Sequence, residues 1–373
     1  MRRVKDTKKI LMIGNCYTSI VHFRRELIQE LVSSGYDVWM AFPNHSHGEQ
    51  ENGEESSKEL GCKFVELYID RRSTRISKEI ALLRRIFQLL REIRPDCTLL
   101  FTIKPNIYGG VASIFLRVPF IVNITGLGSG INDSLRGKLL LRSYISICNR
   151  ANRVFFQNTH DMELFRKRGL SNPKTDLLPG SGVNLSRYSF ADYPCGDNTV
   201  FLYDARIMRE KGIDEYLYVA SMYKDRSDIQ FYVCGDCEDD YSSILSELVE
   251  NKTIKYFGRV SDVRPLIKEC NCIVIPSFYN EGVSNCLLEA ASCGRPIVTT
   301  DHAGCREVVD DGVTGFLVKP ADKENLKRII EKFIDMPAKE RKEMGKQARE
   351  KMEREFSREI VVNMYMKAIK EII

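Results

Sequence analysis

The stretch 276–301, P-S-F-Y-N-E-G-V-S-N-C-L-L-E-A-A-S-C-G-R-P-I-V-T-T-D, restricts the fold of this chain more than any other. An apolar strand over 272–275 runs into a loop carrying Glu281 and Gly282. A helix over about 284–292 follows, then Gly294 and a second buried strand over 296–300. Strand, helix and strand in so short a space is the repeating unit of a parallel α/β sheet. Glu281 and Glu289 stand eight positions apart, about two helical turns. The first therefore lies just ahead of the helix N-terminus, and the second projects from its body on a similar face. Two carboxylates then look into one cleft. Each can accept two hydrogen bonds from neighbouring hydroxyls, and the helix N-terminus offers N–H groups to an anion. A sugar nucleotide presents both features. The plainer alternative is that Glu281 caps the helix and Glu289 belongs to a solvated face.

A chain of 373 residues is long for one domain, and two domains of similar size are expected. With 43% hydrophobic and 29% charged residues, the composition excludes disordered and fibrous classes. No apolar run reaches about 18 residues, and only a strand-length apolar stretch follows the opening M-R-R-V-K-D-T-K-K. A cytoplasmic location is expected. Most of the twelve cysteines sit singly in apolar or helical contexts and read as reduced core residues. Cys234 and Cys237 make one C-x-x-C, but no second ligand pair accompanies it, so no metal is expected.

The net charge of +5 is uneven, with +10 over residues 1–183 and −5 over the remainder. Much of the excess lies in residues 71–94, where eight basic and two acidic residues surround an apolar helical stripe. A helix packed on a sheet with a solvated basic face accounts for this pattern. The functional reading adds that the face rests on anionic lipid headgroups. No nucleic-acid partner is expected.

Taken in order, the strand 8–14 leads into Asn15 and a helix over about 20–34, the first βα turn of a nucleotide-fold domain. It lacks G-x-G-x-x-G, which removes the main support for dinucleotide binding. Strands over 37–42, 63–69, 96–103, 120–125 and 153–157 alternate with helical stretches and predict a doubly wound parallel sheet. Residues 45–57 are polar and aperiodic and read as a surface loop. Ligands bind at strand C-terminal ends in such sheets. Two loops there, 102–110 with Lys104 and Asn106 and 125–130 with Thr125 and Gly126, are candidates for the acceptor side. Residues 177–184 read as an interdomain linker. A second alternation opens with F-L-Y-D-A-R at 201–206. Arg206 and Lys211 leave that strand beside a helix start, where two cations would neutralise a diphosphate, although such pairs are also common on plain surfaces. Helices over 323–334, 338–354 and 357–372 close the chain.

The E-x7-E segment with its G-x-P-I-V-T-T-D exit, together with A-R-x-x-x-E-K-G at 205–212, resembles glycosyltransferase family 4. T-x-K-P-N-I-Y-G and T-G-L-G-S at 102–109 and 125–129 look like the branch that builds capsular and other bacterial surface glycans, including polyprenyl-linked N-acetylgalactosaminyl transferases. Related enzymes often carry a histidine in these first-domain loops, and this chain has none there. The resemblance implies an α/β GT-B fold, with two Rossmann-like doubly wound parallel-sheet domains facing a central cleft. Their expected extents are 1–183 for the acceptor side and 184–352 for the nucleotide sugar, with a 353–373 helix packing back on the first. It further implies a retaining transfer from a UDP-sugar to a lipid-linked glycan on the inner membrane face, without metal or other cofactor. Arg206 and Lys211 would stabilise the departing UDP, Glu281 with Gly282, Val283 and Ser284 would grip the sugar, and Glu289 would bind the ribose. Arg259 and Val260 would hold the base, and Gly14 and Asn15 would face the cleft. A UDP-sugar 2-epimerase of similar plan and a non-catalytic sugar-binding protein are the alternatives.

Overall fold

Apolar runs such as Lys9–Ile13 and Cys97–Phe101 are buried almost throughout, as strands inside a parallel sheet covered on both faces must be. The structure, a computed structural model, describes residues 7–44, 52–70, 75–128, 131, 134–196, 198–237 and 240–373. It divides into two units, one reaching Ser181 and regaining Glu359–Ile373, the other Gly182–Arg358.

The first unit alternates β1 (Lys9–Ile13), α1 (Phe23–Ser33), β2 (Asp37–Phe42), α2 (Gly53–Leu60), β3 (Lys63–Glu66), α3 (Ile76–Ile93) and β4 (Cys97–Phe101). It continues with α4 (Gly110–Leu116), β5 (Phe120–Ile124), α5 (Leu135–Cys148), β6 (Arg153–Phe156), α6 (Thr159–Lys167) and β7 (Thr175–Leu177). The strands form one parallel sheet in the order β3-β2-β1-β4-β5-β6-β7. One face is packed by α3 to α6 through Ile86, Ala112, Tyr144 and Phe165. The other is packed by α1, α2 and the chain's last helix.

The second unit contains β8 (Thr199–Asp204), α7 (Ile213–Met222), β9 (Ile229–Cys234), α8 (Ser242–Glu250), β10 (Lys255–Tyr256), α9 (Arg264–Glu269) and β11 (Cys272–Ile275). Then come α10 (Asn285–Ser292), β12 (Ile297–Thr300), β13 (Gly315–Val318), α11 (Lys323–Asp335) and α12 (Ala338–Glu355). The sheet order is β10-β9-β8-β11-β12-β13, again all parallel. The last helix, α13 (Arg358–Lys370), buries Val361, Tyr365 and Ile369 in the first unit, each such side chain contributing about 1.5–3 kcal/mol.

Two local expectations give way. The stretch read as a loop over 45–57 contains the start of α2. Asn52 caps it by accepting from the Glu54 N–H, Glu54 and Glu55 favour the positive helix end, and Leu60 is buried before Gly61 ends the helix. Residues 45–51 lie outside the described residues, as do 71–74 ahead of α3. The helix expected from residue 20 instead begins as a single π-type turn, Thr18–His22, joined to α1 across a non-helical Arg24. That guanidinium is buried, donates to the Ser19 carbonyl at 2.7 Å and lies 4.5 Å from the Phe101 ring. Tertiary contacts of one buried cation outweigh the helical periodicity there.

Candidate active site

In each sheet the strand order reverses once, and the crevice beyond the strand C-termini at that point is where open α/β sheets take ligands. In the second unit the reversal lies between β8 and β11. The loops leaving these strands are stitched together. The buried Tyr203 hydroxyl lies 3.1 Å from the Arg206 carbonyl and 3.3 Å from the Lys211 carbonyl, its single proton shared between them. The Phe278 N–H donates to the Glu210 carbonyl at 2.8 Å. Gly212 holds φ +77°, and a Cβ there would stand 2.2 Å from the Pro276 carbonyl oxygen, so only glycine allows the contact.

The Lys211 ammonium meets the Glu281 carboxylate at 2.6 Å, with the two side chains only 7% and 20% exposed. The Arg206 guanidinium lies 5.0 Å from the Tyr279 ring centroid and the Lys211 nitrogen 5.3 Å from the same centroid. Gly282, Val283 and Ser284 are buried and carry the chain from Glu281 into α10, whose N-cap residue, Ser284, makes no side-chain cap. The Ser284 N–H donates to the Gly304 carbonyl at 2.9 Å, tying the start of α10 to the loop after β12. Gly304 itself, at φ +89°, lies against the Glu281–Gly282 backbone, with a Cβ position only 2.5 Å from the Gly282 oxygen.

Glu289 projects from the body of α10. The residue is half-buried, yet its carboxyl is pushed up to about 8, first by burial and then by the negative charge of Asp204. The Tyr188 phenol donates to it, and Arg358 and Arg187 add positive charge, all partly offsetting that rise. Asp204, the last residue of β8, accepts hydrogen bonds from the Cys234 and Cys286 thiols, and burial raises it to about 6. Cys286 lies one turn before Glu289 on α10, so Asp204 and Glu289 flank it. Asp204, Tyr188 and Tyr279 escape motif reading, although Asp204 immediately precedes one of the segments that carry the resemblance and Tyr279 lies inside another. The loops after β9 and β10 join this edge, with the Gly235 N–H donating to the Gly258 carbonyl at 2.9 Å and the Val260 backbone bonded to the Cys234 sulfur. Arg259 is exposed and paired with Asp236 at 3.5 Å.

In the first unit the reversal lies between β1 and β4, and the loop after each contains a π-type turn, Thr18–His22 and Pro105–Gly109. Gly14 is buried beneath Ser19 and Ile20, while Asn15 is half-exposed. Lys104 pairs with Glu79 at 2.5 Å and donates to the Asp70 carbonyl at 2.8 Å. Thr102, at the end of β4, holds φ +71°, a strained conformation for a β-branched residue. Asn106 has no exposed surface, and its amide donates to the Asn123 carbonyl at 2.7 Å and to the Tyr144 hydroxyl. It braces the loop from inside and offers nothing to an acceptor, which corrects its candidate role. Thr125 and Gly126 are half-exposed beyond β5; residues 129–130 of that loop lie outside the described residues. Among the described residues no group of three or more histidine, cysteine or carboxylate side chains has metal-binding geometry.

Residues 20–180 match the family described as Glycosyl transferase 4-like domain, and residues 190–351 the family described as Glycosyl transferases group 1. The chain belongs to the glycosyltransferases, of the family 4 type with the GT-B fold. It is therefore a transferase rather than the epimerase or binding protein held as alternatives. It is 24% identical to an N,N'-diacetylbacillosaminyl-diphospho-undecaprenol alpha-1,3-N-acetylgalactosaminyltransferase of Campylobacter jejuni, over 98% of this chain and 99% of that one. It is 30% identical to the capsular polysaccharide biosynthesis glycosyltransferase CapM of Staphylococcus aureus, over 47% and 48% of the two chains. Among solved structures, Anabaena HepE in complex with UDP and glucose superposes with a TM-score of 0.77 at 17% identity, covering 98% of this chain and 100% of that one.

Proposed function

We propose that the protein is a retaining glycosyltransferase that moves a hexose or N-acetylhexosamine from a UDP-sugar to a polyprenyl-diphosphate-linked glycan in surface polysaccharide or glycan synthesis. The observation that carries the donor half is the cluster at the β8–β11 reversal, where Arg206, Lys211 and Glu281 are drawn together beside the uncapped start of α10. Two cations and a helix N-terminus suit a diphosphate leaving group, and their charge supplies electrostatic stabilisation without a metal. Glu281 then accepts from hydroxyls of the transferred sugar once the diphosphate draws Lys211 toward itself. Glu289, ionised on binding, accepts from the ribose diol, and the loops at Gly235 and Val260 receive the base.

The acceptor half rests on the Campylobacter relative, whose name specifies an undecaprenyl-diphosphate acceptor and which aligns along nearly the whole chain. Membrane attachment is peripheral in this reading. No helix among the described residues is long and apolar enough to cross a bilayer. On α3, Ile76 and Ile80 are exposed one turn apart, with Arg84 and Arg91 further along the exposed face. This combination suits an anionic inner-leaflet surface.

The test is release of UDP from a panel of UDP-hexoses and UDP-N-acetylhexosamines with short polyprenyl-diphosphate glycans. Release that requires the acceptor, persists in EDTA and disappears in Glu289→Ala and Lys211→Ala is expected, and NMR of the product should show the donor's anomeric configuration kept. Turnover that needs an added divalent cation, or an inverted product, would sink the corresponding part of the proposal.

A further inference from the structure

Arg206 and Lys211 come from one loop, Lys211 pairs with Glu281 at 2.6 Å, and two long cationic side chains lose rotamer freedom when held for one ligand. Tyr279, from the facing loop, lies against both. Its ring centroid is 5.0 Å from the Arg206 guanidinium carbon and 5.3 Å from the Lys211 nitrogen, within the range at which a ring's electron-rich face attracts a cation. The ring is itself held by backbone. The Tyr279 N–H donates to the Ser277 hydroxyl at 3.3 Å, the Glu281 N–H donates to the Tyr279 carbonyl at 2.8 Å, and Phe278 is tied to Glu210. From inside, the Tyr203 hydroxyl fixes the carbonyls of the same two cationic residues. Two tyrosines thus bracket the loop, one holding its backbone and the other its side chains.

We propose that Tyr279 is a positioning residue for the donor diphosphate, its ring restraining the Arg206 side chain and, together with the Glu281 carboxylate, that of Lys211 before the nucleotide arrives. This rests on the donor-site reading above. Pre-ordering removes part of the entropy that binding would otherwise cost, and the benefit falls on the phosphates alone, because the ring acts through the cations. Phenylalanine keeps the attracting ring, whereas leucine keeps apolar bulk without it.

The experiment is calorimetric titration of the full chain with UDP, UMP and uridine, comparing wild type with Tyr279→Leu, Tyr279→Phe and Lys211→Ala. Tyr279→Leu is expected to weaken UDP about tenfold, UMP less and uridine not at all, while Tyr279→Phe stays within about twofold of wild type for all three. Unchanged uridine affinity reports an intact fold, which a merely structural role for the ring would not preserve. The proposal is overturned if Tyr279→Leu binds UDP like wild type while Lys211→Ala does not, or if uridine weakens as much as UDP. A wild type that fails to bind UDP, or a Lys211→Ala variant that binds it equally well, overturns the donor-site reading and this proposal together.

Discussion

Glu289 and Asp204 carry protons at pH values where ordinary carboxylates have lost them, because burial penalises their charged forms and, for Glu289, the negative charge of Asp204 adds to that penalty. The sign of the stability effect follows. The Glu289 carboxyl has the ordinary glutamate value of 4.5 when unfolded and about 8 when folded, so across that window the folded chain binds more protons. Its contribution to stability is complete below the unfolded value and falls away as pH rises through the folded one. Urea denaturation at pH 5, 7 and 9 should show wild type losing stability with rising pH more steeply than Glu289→Gln. Parallel profiles would remove the assignment. Arg295 poses a different residue-level question. It is fully buried, has no carboxylate among its hydrogen-bond acceptors within the described residues, and turns its five N–H groups to six carbonyls, of Ile267, Ala191, Cys293, Gly294, Asp192 and Lys268, the two Nη1 protons being shared among three of them. Arg295→Met would strand these acceptors and is expected to cost about 3 kcal/mol in the same assay. In the sequence Arg295 is one letter of G-R-P after a helix, and nothing local tells a buried hub from a surface turn.

Helix α3 combines an inward stripe of Leu82, Ile86, Leu89, Leu90 and Ile93 with an outward face bearing Ile76, Ile80, Arg84 and Arg91. The inward stripe docks the helix on its sheet, and the two exposed isoleucines lie one turn apart on the same outward face as the arginines, a pairing that suits a lipid surface. Sedimentation with anionic vesicles at low salt should recover the protein in the pellet. Arg84→Glu with Arg91→Glu should release most of it, as should salt of about 0.5 M. Recovery in the supernatant under all conditions would remove the membrane surface from the list of partners. The stripe of α3 was legible because its apolar residues recur with helical period. The wide turn at Thr18–His22 was not, since the buried Arg24 that interrupts the helix looks in sequence like any solvated arginine.

The chain crosses between its two units twice, at 181–182 and 358–359. The residues beside those crossings pair inside the second unit, where the Val183 N–H donates to the Phe356 carbonyl at 2.8 Å and the Arg358 N–H to the Val183 carbonyl at 2.9 Å. The second unit is thus continuous in sequence, whereas the first depends on α13 for part of its core. Residues 182–358 expressed alone should melt cooperatively and retain UDP affinity within about tenfold, whereas 1–181 alone should aggregate unless 359–373 is supplied. The opposite behaviour would show that α13 is dispensable. The sequence by itself determined the alternation of strands and helices, the parallel α/β class and the positions of Arg206, Lys211, Glu281 and Glu289, because periodicity and short motifs are local properties of the chain. Only the tertiary structure decided that Lys211 pairs with Glu281, that Tyr279 lies against both cations, that Asp204 charges the surroundings of Glu289, and that Asn106 is sealed inside. The first three depend on β8 and β11 becoming neighbours at the reversal of the second sheet, through residues as much as 85 positions apart, and the last on β5 and α5 packing over Asn106, all beyond the reach of any local pattern.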